Sequence, residues 1–193
     1  MSPIPSTGDA VTRRSLAQLD ALPISLLDEP LDYIFADHFR QRCLCAVLQS
    51  FARTRRAPRA GADMVVAFLA RETALHHLDE DADLFPALRD RAKPEDGLSP
   101  ILARLSEDHR QAAPLITEMI AALSTQPTHG AIKIRAAAAE AMSIYAACEQ
   151  RHLSVENGIV LVLARKRLKL ADLAAMRAAM KARRMGAPDV AHP

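Results

Sequence analysis

The chain has 193 residues, of which 50% are hydrophobic and 4% aromatic, and its formal net charge is +2. This length fits one domain with a sizeable core, and so small a net charge gives no reason to expect a nucleic-acid partner. Three cysteines without zinc-type spacing predict reduced thiols and a cytoplasmic location, and the lack of a run of about 18 apolar residues excludes a membrane-spanning helix or membrane partner.

An N-terminal arm and a first long helix are predicted at the start of the chain. Residues 1–27 are rich in proline, serine and threonine at their beginning, which is typical of a partly flexible arm. Asp28 is a candidate N-cap and Pro30 a candidate first-turn residue of the helix. Side chains then recur at three- and four-residue steps, which predicts one buried face. This face includes Leu31, Ile34, Phe35, His38, Cys45, Leu48 and Phe51.

The second and third long helices are separated by a clear break. The second is predicted from about residue 62 to residue 91, with a kink near Pro86. Ser99 followed by Pro100 predicts the start of the third helix, as an N-cap and a first-turn proline. Pro114 is expected to bend that helix.

The rest of the chain predicts two further helices and a tail. The fourth long helix is expected from about residue 131 to residue 167, and a short fifth helix from about residue 170 to residue 184. Residues 186–193 are expected to be disordered. Because the connections are short, neighbouring long helices should be antiparallel. Residues 28–185 are therefore predicted to form an all-α, up-down-up-down four-helix bundle with a short extra C-terminal helix.

One histidine–glutamate spacing occurs in two of the long helices. His76 is followed four residues later by Glu80, and His152 is followed four residues later by Glu156. Four residues advance an α-helix by about 400°, so each pair lies on one face, one turn apart. A single pair of this kind is common on solvated helices as an ion pair or by chance. Two such pairs, in helices expected to be in one bundle, favour a shared site.

The other two long helices each contain one histidine near the middle, His38 and His109. Imidazoles from four helices together with two carboxylates indicate a metal site inside the bundle, and such ligands suit iron, manganese or zinc. Glu80 and Glu156 would be costly to bury without a partner, and a pair of cations is such a partner. The apolar side chains expected to keep the site dry are Phe35, Leu84, Phe85 and Val160.

This pattern resembles the hemerythrin family, in its HHE cation-binding branch. The resemblance covers about residues 28–185 and depends on one segment in each long helix and on the end of the fifth helix. The segments are Asp37-His38 with Arg40, His76-x-x-x-Glu80-Asp81 continuing to Leu84-Phe85-Pro86, Glu107-Asp108-His109-Arg110, His152-x-x-x-Glu156-Asn157, and Met180-Lys181-Ala182-Arg183-Arg184. Membership implies a four-helix bundle with a non-haem di-iron centre that binds oxygen or, in some members, nitric oxide.

The resemblance also implies the cofactors, the ligands and the function. Two non-haem iron ions are expected, with manganese or zinc as alternatives. The implied metal ligands are His38, His76, Glu80, His109, His152 and Glu156. The expected partner is a small diatomic or peroxide ligand, bound for sensing, storage or redox protection. A di-iron enzyme or an iron-donating repair factor acting on peroxide or nitric oxide is one alternative, and a metal-free helical interaction module is another. A homodimer is compatible with the sequence.

One difference from the oxygen carriers of this family concerns the third long helix. Those proteins have a fifth histidine one turn after the first histidine of that helix, where this chain has Ala113. The site is therefore one imidazole short, which counts against reversible oxygen carriage. Glu72, His77, Tyr145 and Cys148 are close enough along their helices to join or line the site. Their ordinary interpretations are a solvated carboxylate, a surface ring, a core phenol and a small buried hydrophobe.

A ferritin-like di-iron bundle is a neighbouring interpretation. Such bundles use two Glu-x-x-His motifs. This chain has one, at Glu149-Gln150-Arg151-His152, whereas Glu72 lies four residues before His76. The second motif is therefore missing, which counts against this interpretation.

Overall fold

The computed structural model describes residues 7–125 and 130–186. Residues 1–6 of the predicted arm and the predicted tail from residue 187 onward lie outside the described residues. The division of the chain into arm, bundle and tail therefore stays a prediction.

The described residues are mostly helical, which confirms the predicted all-α class. The α-helices are α1 (Thr7–Leu16), α2 (Pro30–Thr54), α3 (Arg59–Ala67), α4 (Ala74–Asp79), α5 (Phe85–Arg91), α6 (Leu98–Ser124), α7 (Ala136–Val155), α8 (Leu161–Arg167) and α9 (Leu170–Met185). Short 3₁₀ turns lie at Ile24–Asp28 and Pro94–Asp96.

Wider π-helical turns at Phe68–Thr73, Glu80–Leu84 and Glu156–Val160 connect some of these helices end to end. The backbone stays helical through each turn. The four long helices are therefore α2, the continuous segment α3–α5, α6, and the continuous segment α7–α8. They are called here the first, second, third and fourth long helix.

The first long helix begins with Pro30 in its first turn, as predicted. The predicted cap, Asp28, lies one residue too early, because Glu29 occupies the N-cap position and gives no side-chain cap. Asp28 instead accepts a hydrogen bond of 2.6 Å from Lys181 Nζ on α9. The side chain predicted to cap this helix therefore ties it to the C-terminal helix.

The fourth long helix begins later than predicted. Residues Ala131–Lys133 form a short strand, β2, which pairs antiparallel with β1 at Arg56–Pro58. The paired residues Ala57 and Ile132 are both buried against the bundle. This apolar contact and the ladder hydrogen bonds outweigh the helix propensity of the local sequence, which is a weak influence by comparison.

The third long helix begins at Leu98, one residue before the predicted start at Ser99. Gly97 precedes it with a φ of 58°, a left-handed conformation that glycine adopts at little cost. Pro100 lies in the first turn, where its missing N–H needs no partner. The helix then continues through Pro114 as far as Ser124.

Two apolar clusters fill the bundle, one toward each end. Core one includes Leu48, Phe51, Leu69, Leu123, Met142 and Tyr145. Core two includes Leu27, Ile34, Leu84, Leu102, Val160 and Met180. Each long helix contributes to both cores, and neighbouring helices do so in opposite chain order. This alternation confirms the predicted up-down-up-down arrangement.

The segment predicted as an arm contacts the bundle at several points. Helix α1 packs on α2, Leu19 is buried in core one, and Leu27 is buried in core two. At the other end of the chain, α9 packs against α2 and α4. Among the described residues, no helix is long and apolar enough to cross a membrane.

Candidate metal centre

The six predicted ligand side chains converge in the middle of the bundle, between core one and core two. All six are buried, and the most accessible is His109 at 6%. They form two overlapping groups, within each of which the potential ligand atoms lie within 4.8 Å of one another. The first group is His38, His76, Glu80 and Glu156, and the second group is Glu80, His109, His152 and Glu156. The two groups share both glutamates.

In the first group, two imidazoles face the glutamates. His38 Nε2 lies 3.3 Å from Glu80 Oε1 and 3.4 Å from Glu156 Oε2. His76 Nε2 lies 3.4 Å from Glu80 Oε1. One oxygen of each carboxylate therefore points toward this group.

In the second group, the other oxygen of each carboxylate is used. Glu80 Oε2 lies 3.4 Å from His109 Nε2, and Glu156 Oε1 lies 3.2 Å from His152 Nε2. The two Nε2 atoms of this group are 3.1 Å apart. Each glutamate therefore spans the two groups, which is the arrangement required of a carboxylate that bridges two cations.

The Nδ1 atom of each imidazole faces outward to an oxygen on a different long helix. Three of these contacts are short, and the fourth is too long for a hydrogen bond. They are His38 with Asn157 (2.8 Å), His76 with Asp37 (3.1 Å), His109 with Asp81 (2.8 Å) and His152 with Asp108 (3.7 Å). An Nδ1 that donates outward leaves the Nε2 lone pair pointing inward, toward a metal.

These outward partners are residues whose role the sequence reasoning missed. Each is the immediate neighbour in sequence of a predicted ligand, as in Asp37-His38 and Glu80-Asp81. Asp37, Asp81 and Asn157 each orient a histidine of another helix, and Asp108 faces His152 at a longer distance. The dipeptides were visible in the sequence, but the helix that each polar side chain would face depends on how the helices pack.

The electrostatics of the site favour a charged Glu80. Burial alone would raise the pKa of its carboxyl group, but His76, His109 and His38 outweigh burial and hold that pKa well below its ordinary value. Burial would likewise lower the pKa of His109, but the hydrogen bond to Asp81 and the nearby charges of Glu80 and Asp81 raise it to about 10. Without a metal, Glu80 is therefore held charged by protons on neighbouring imidazoles.

Several inward-facing atoms lack any partner with hydrogen-bond geometry. They are His76 Nε2, Glu80 Oε2 and both carboxylate oxygens of Glu156. Leaving a buried polar atom unpaired costs about 1–3 kcal/mol, and more for a charged group. Imidazole nitrogens and carboxylate oxygens that converge without partners are a donor set that transition-metal cations match. The residues present therefore fit a two-metal centre.

A π-helical turn begins at each of the two glutamates. The Glu80 carbonyl accepts from the N–H of Phe85, and the Glu156 carbonyl accepts from the N–H of Leu161, five residues on in both cases. Such turns occur frequently at functional sites. The extra residue in each turn changes which helix face follows the glutamate. Leu84 and Val160, the last residues of the two turns, are buried in core two. Pro86, near which a kink was predicted, lies in the first turn of α5, directly after the turn that begins at Glu80.

Two further candidates on the second long helix lie beside the site and outside both groups. Glu72 accepts a hydrogen bond of 3.0 Å from Arg40 Nη2, and Arg40 also contacts Asp37. The His77 ring stacks on His109, with ring centroids 4.0 Å apart and planes 15° apart. Glu72 therefore supports the Arg40–Asp37 pair, and His77 packs against a predicted ligand.

The two candidates on the fourth long helix differ in burial. Tyr145 is buried, as the core interpretation predicts, whereas Cys148 is exposed, and Arg151 Nη2 lies 3.2 Å from its sulfur. The prediction that Cys148 is a small buried hydrophobe is therefore wrong. Ala113 is exposed, and its neighbour Ala112 is the alanine that packs inward against core one.

The apolar surroundings of the site were predicted correctly in three positions of four. Leu84, Phe85 and Val160 are buried, and the Phe85 ring stacks on His109 at a centroid distance of 6.0 Å. Phe35 is 55% exposed, so its predicted position beside the site is wrong. Ile34 and His38 face inward on α2, whereas Phe35 lies about 100° around the helix from Ile34, outside that inward face.

Two cavities lie between the third and fourth long helices, next to His152. One has a volume of about 260 Å³ and the other about 470 Å³, and Asp108, Cys148 and His152 line both. Glu149 lines the smaller cavity. This carboxyl group is buried, its Oε1 atom has no hydrogen-bond partner, and burial raises its pKa. The side of the site near His152 is therefore the side that small molecules can approach.

Comparison with protein families gives one match. The model for the hemerythrin HHE cation binding domain matches residues 29–182, which include all six predicted ligands. Comparisons with curated proteins and with solved structures gave no significant match.

Proposed function

Because the chain belongs to the hemerythrin HHE cation-binding domain family, we propose that it holds two non-haem iron ions and binds oxygen, nitric oxide or peroxide. The role would be sensing, storage or redox protection in the cytoplasm. Membership of a cation-binding family, together with the buried histidine–glutamate groups, indicates a metal-binding protein. The identity of the metal and the small ligand are the parts that we propose.

One observation supports the proposal most strongly. Glu80 directs Oε1 toward His38 and Oε2 toward His109, so a single buried side chain serves both groups. Glu156 does the same toward His38 and His152. These two shared carboxylates, with two imidazoles in each group, would hold two metal ions.

The protein's own residues have two tasks in this mechanism. Asp37, Asp81 and Asn157 hold three of the imidazoles with their Nε2 atoms inward. Phe85 and Val160 keep bulk water away from the core-two side, so that a ligand approaches past His152. When bound, the iron ions would supply reversible ligand binding or electron transfer, which these side chains cannot supply themselves.

Metal analysis of variants tests the metal centre. We expect the purified protein to contain close to two iron ions per chain, and His76→Ala and His152→Ala to lose most of them, because each removes one ligand from a different group. Leu78→Ala is the matched control, since this exposed side chain lies two residues after His76. Equal metal content in all four proteins would contradict the proposal.

A second measurement addresses the small ligand. The ferrous protein, prepared without air, would be exposed separately to oxygen, nitric oxide and hydrogen peroxide while its absorption spectrum is followed. A reversible spectral change supports a binding protein, whereas steady consumption of the added molecule supports the enzymatic alternative. An unchanged spectrum with all three would exclude small-ligand binding.

A further inference from the structure

We propose that Glu149 is a further metal ligand, which completes the metal position formed by His109 and His152. The inference rests on the proposed two-metal centre and deepens it. It assigns a third carboxylate to a site that has one imidazole fewer than the oxygen carriers of the family. The inference depends on the position of Glu149, a buried residue whose Oε1 atom has no hydrogen-bond partner among the described residues. Glu149 and His152 line the same cavity.

The position of Glu149 on α7 directs it toward the site. It precedes His152 by three residues, and side chains at this spacing are neighbours on one helix face. The side chain is 5% exposed, and its Oε1 atom has no hydrogen-bond partner among the described residues. An unpaired buried carboxyl oxygen is costly, and a bound cation would stabilise it.

The neighbouring cavity gives this carboxylate room to move. Glu149 and His152 both line the cavity of about 260 Å³, and the half-buried Ala112 lines it from the third long helix. Glu149 belongs to neither group of atoms within 4.8 Å of one another. The proposal therefore requires its side chain to rotate into this cavity toward His152. The small side chain of Ala112 leaves that space open.

The chemistry of the position also favours a third carboxylate. Glu80 and Glu156 are the two shared carboxylates in the groups, so two divalent cations would remain only partly neutralised. A carboxylate oxygen is a harder donor than an imidazole nitrogen, and it suits iron or manganese. The Glu149–His152 pair would then bind one cation from a single helix face, as Glu-x-x-His pairs do in other bundles.

The test is a titration of the metal-free protein with ferrous ion, without air, in competition with a chromophoric chelator. We expect Glu149→Gln to weaken one of two binding steps at least about tenfold and to leave the other unchanged. Glu149→His should restore much of that step, because it supplies a ligand atom but no negative charge. Glu140→Gln, at an exposed glutamate of the same helix, should bind as the unaltered protein does.

The possible results separate this inference from the proposed function. If the unaltered protein binds two ions and Glu149→Gln binds them equally well, only the role of Glu149 is overturned. If Glu149→His behaves like Glu149→Gln, the carboxylate acts by charge alone, and its role as a ligand is overturned. If the unaltered protein binds no ion, both proposals fail. Thermal unfolding of the metal-free variants establishes whether each is folded. If Glu149→Gln does not fold, the metal affinity of Glu149→His tests the role of Glu149 instead.

Discussion

At the scale of single residues, the site depends on side chains that act across helices. Asp37 directly precedes His38 in the first long helix, yet its carboxylate contacts the Nδ1 atom of His76 on the second. Asp37 also receives a hydrogen bond from Arg40, which Glu72 holds in turn. Burial would raise the pKa of Asp37, but His76 and Arg40 outweigh it and lower that pKa. A charged acceptor therefore fixes the orientation of this imidazole.

An arginine–carboxylate pair also stabilises the fold at a distance from the site. Arg167 donates two hydrogen bonds to Asp96, at 2.6 and 2.8 Å, and the backbone N–H of Lys93 donates a third. The hydrogen bonds from Arg167 and Lys93 lower the pKa of Asp96 to about 2 from its ordinary 3.8. This carboxylate ties the turn before the third long helix to the end of the fourth.

We predict that Asp96→Asn lowers the thermal unfolding midpoint at pH 7. Because the folded-state pKa is depressed, the stabilisation is complete above about pH 4 and is lost as the pH falls toward 2. The difference in midpoint between the two proteins should therefore shrink over that window. Glu95→Gln, at the exposed neighbouring residue, is the control and should show a much smaller difference. A gap that stays constant down to pH 2 would contradict this explanation.

At the scale of secondary-structure elements, the C-terminal helix α9 secures the second long helix next to the site. Arg184 Nη2 lies 2.6 Å from Asp79 Oδ2, and Arg183 also donates to Asp79. Asp79 is the residue before Glu80 and is buried. The Arg184 guanidinium also lies over the ring of Tyr33, 4.7 Å from its centroid. Helix α9 therefore supplies the charges that make a buried carboxylate tolerable at the start of a π-turn.

We predict that Arg184→Ala lowers the free energy of unfolding of the metal-free protein by about 1–3 kcal/mol, measured by urea denaturation. The physical reason is that Asp79 stays buried with only Arg183 to balance it. Arg177→Ala, an exposed arginine on the same helix, should change that free energy by no more than about 0.5 kcal/mol. Similar losses in the two variants would mean that α9 contributes general packing rather than a specific pair.

At the scale of the whole molecule, the candidate centre lies between two separate apolar cores. Each long helix passes from one core, through the site, to the other core. Core one and core two each contain side chains from all four long helices, so each can hold the bundle together at its own end. The costly buried charges are confined to the layer between them. We therefore expect the fold not to depend entirely on metal binding.

We predict that a chelator lowers the thermal midpoint while leaving the protein helical at room temperature. Metal bound to the folded state alone stabilises it by mass action, by about 2.7 kcal/mol when the free metal exceeds its dissociation constant about a hundredfold. Differential scanning calorimetry would measure the midpoint, and far-ultraviolet circular dichroism would measure the helix content. A midpoint unchanged after the metal is demonstrably stripped would count against metal stabilisation. Loss of the helical signal would show that the two cores are insufficient alone.

The sequence by itself determined the fold class, the family and which residues are candidate ligands. Helical periodicity and proline–glycine breaks report local preferences, so the long helices were predicted to within a few residues of their observed ends. The spacing of His76 with Glu80 and of His152 with Glu156 is likewise a property of one helix. The family match over residues 29–182 confirms the resemblance that these motifs indicated. Whether the six candidates bind metal stays a prediction.

Only the tertiary structure decided how these residues are combined. Four features depend on contacts between segments distant in sequence. They are the short contacts of three Nδ1 atoms with oxygens on other helices, the burial of Glu149 beside a cavity, the exposure of Phe35 and the strand at Ala131–Lys133. Local sequence determines which side chains share one face of a helix. It does not determine which residues that face contacts, because those contacts depend on how the four helices pack against one another.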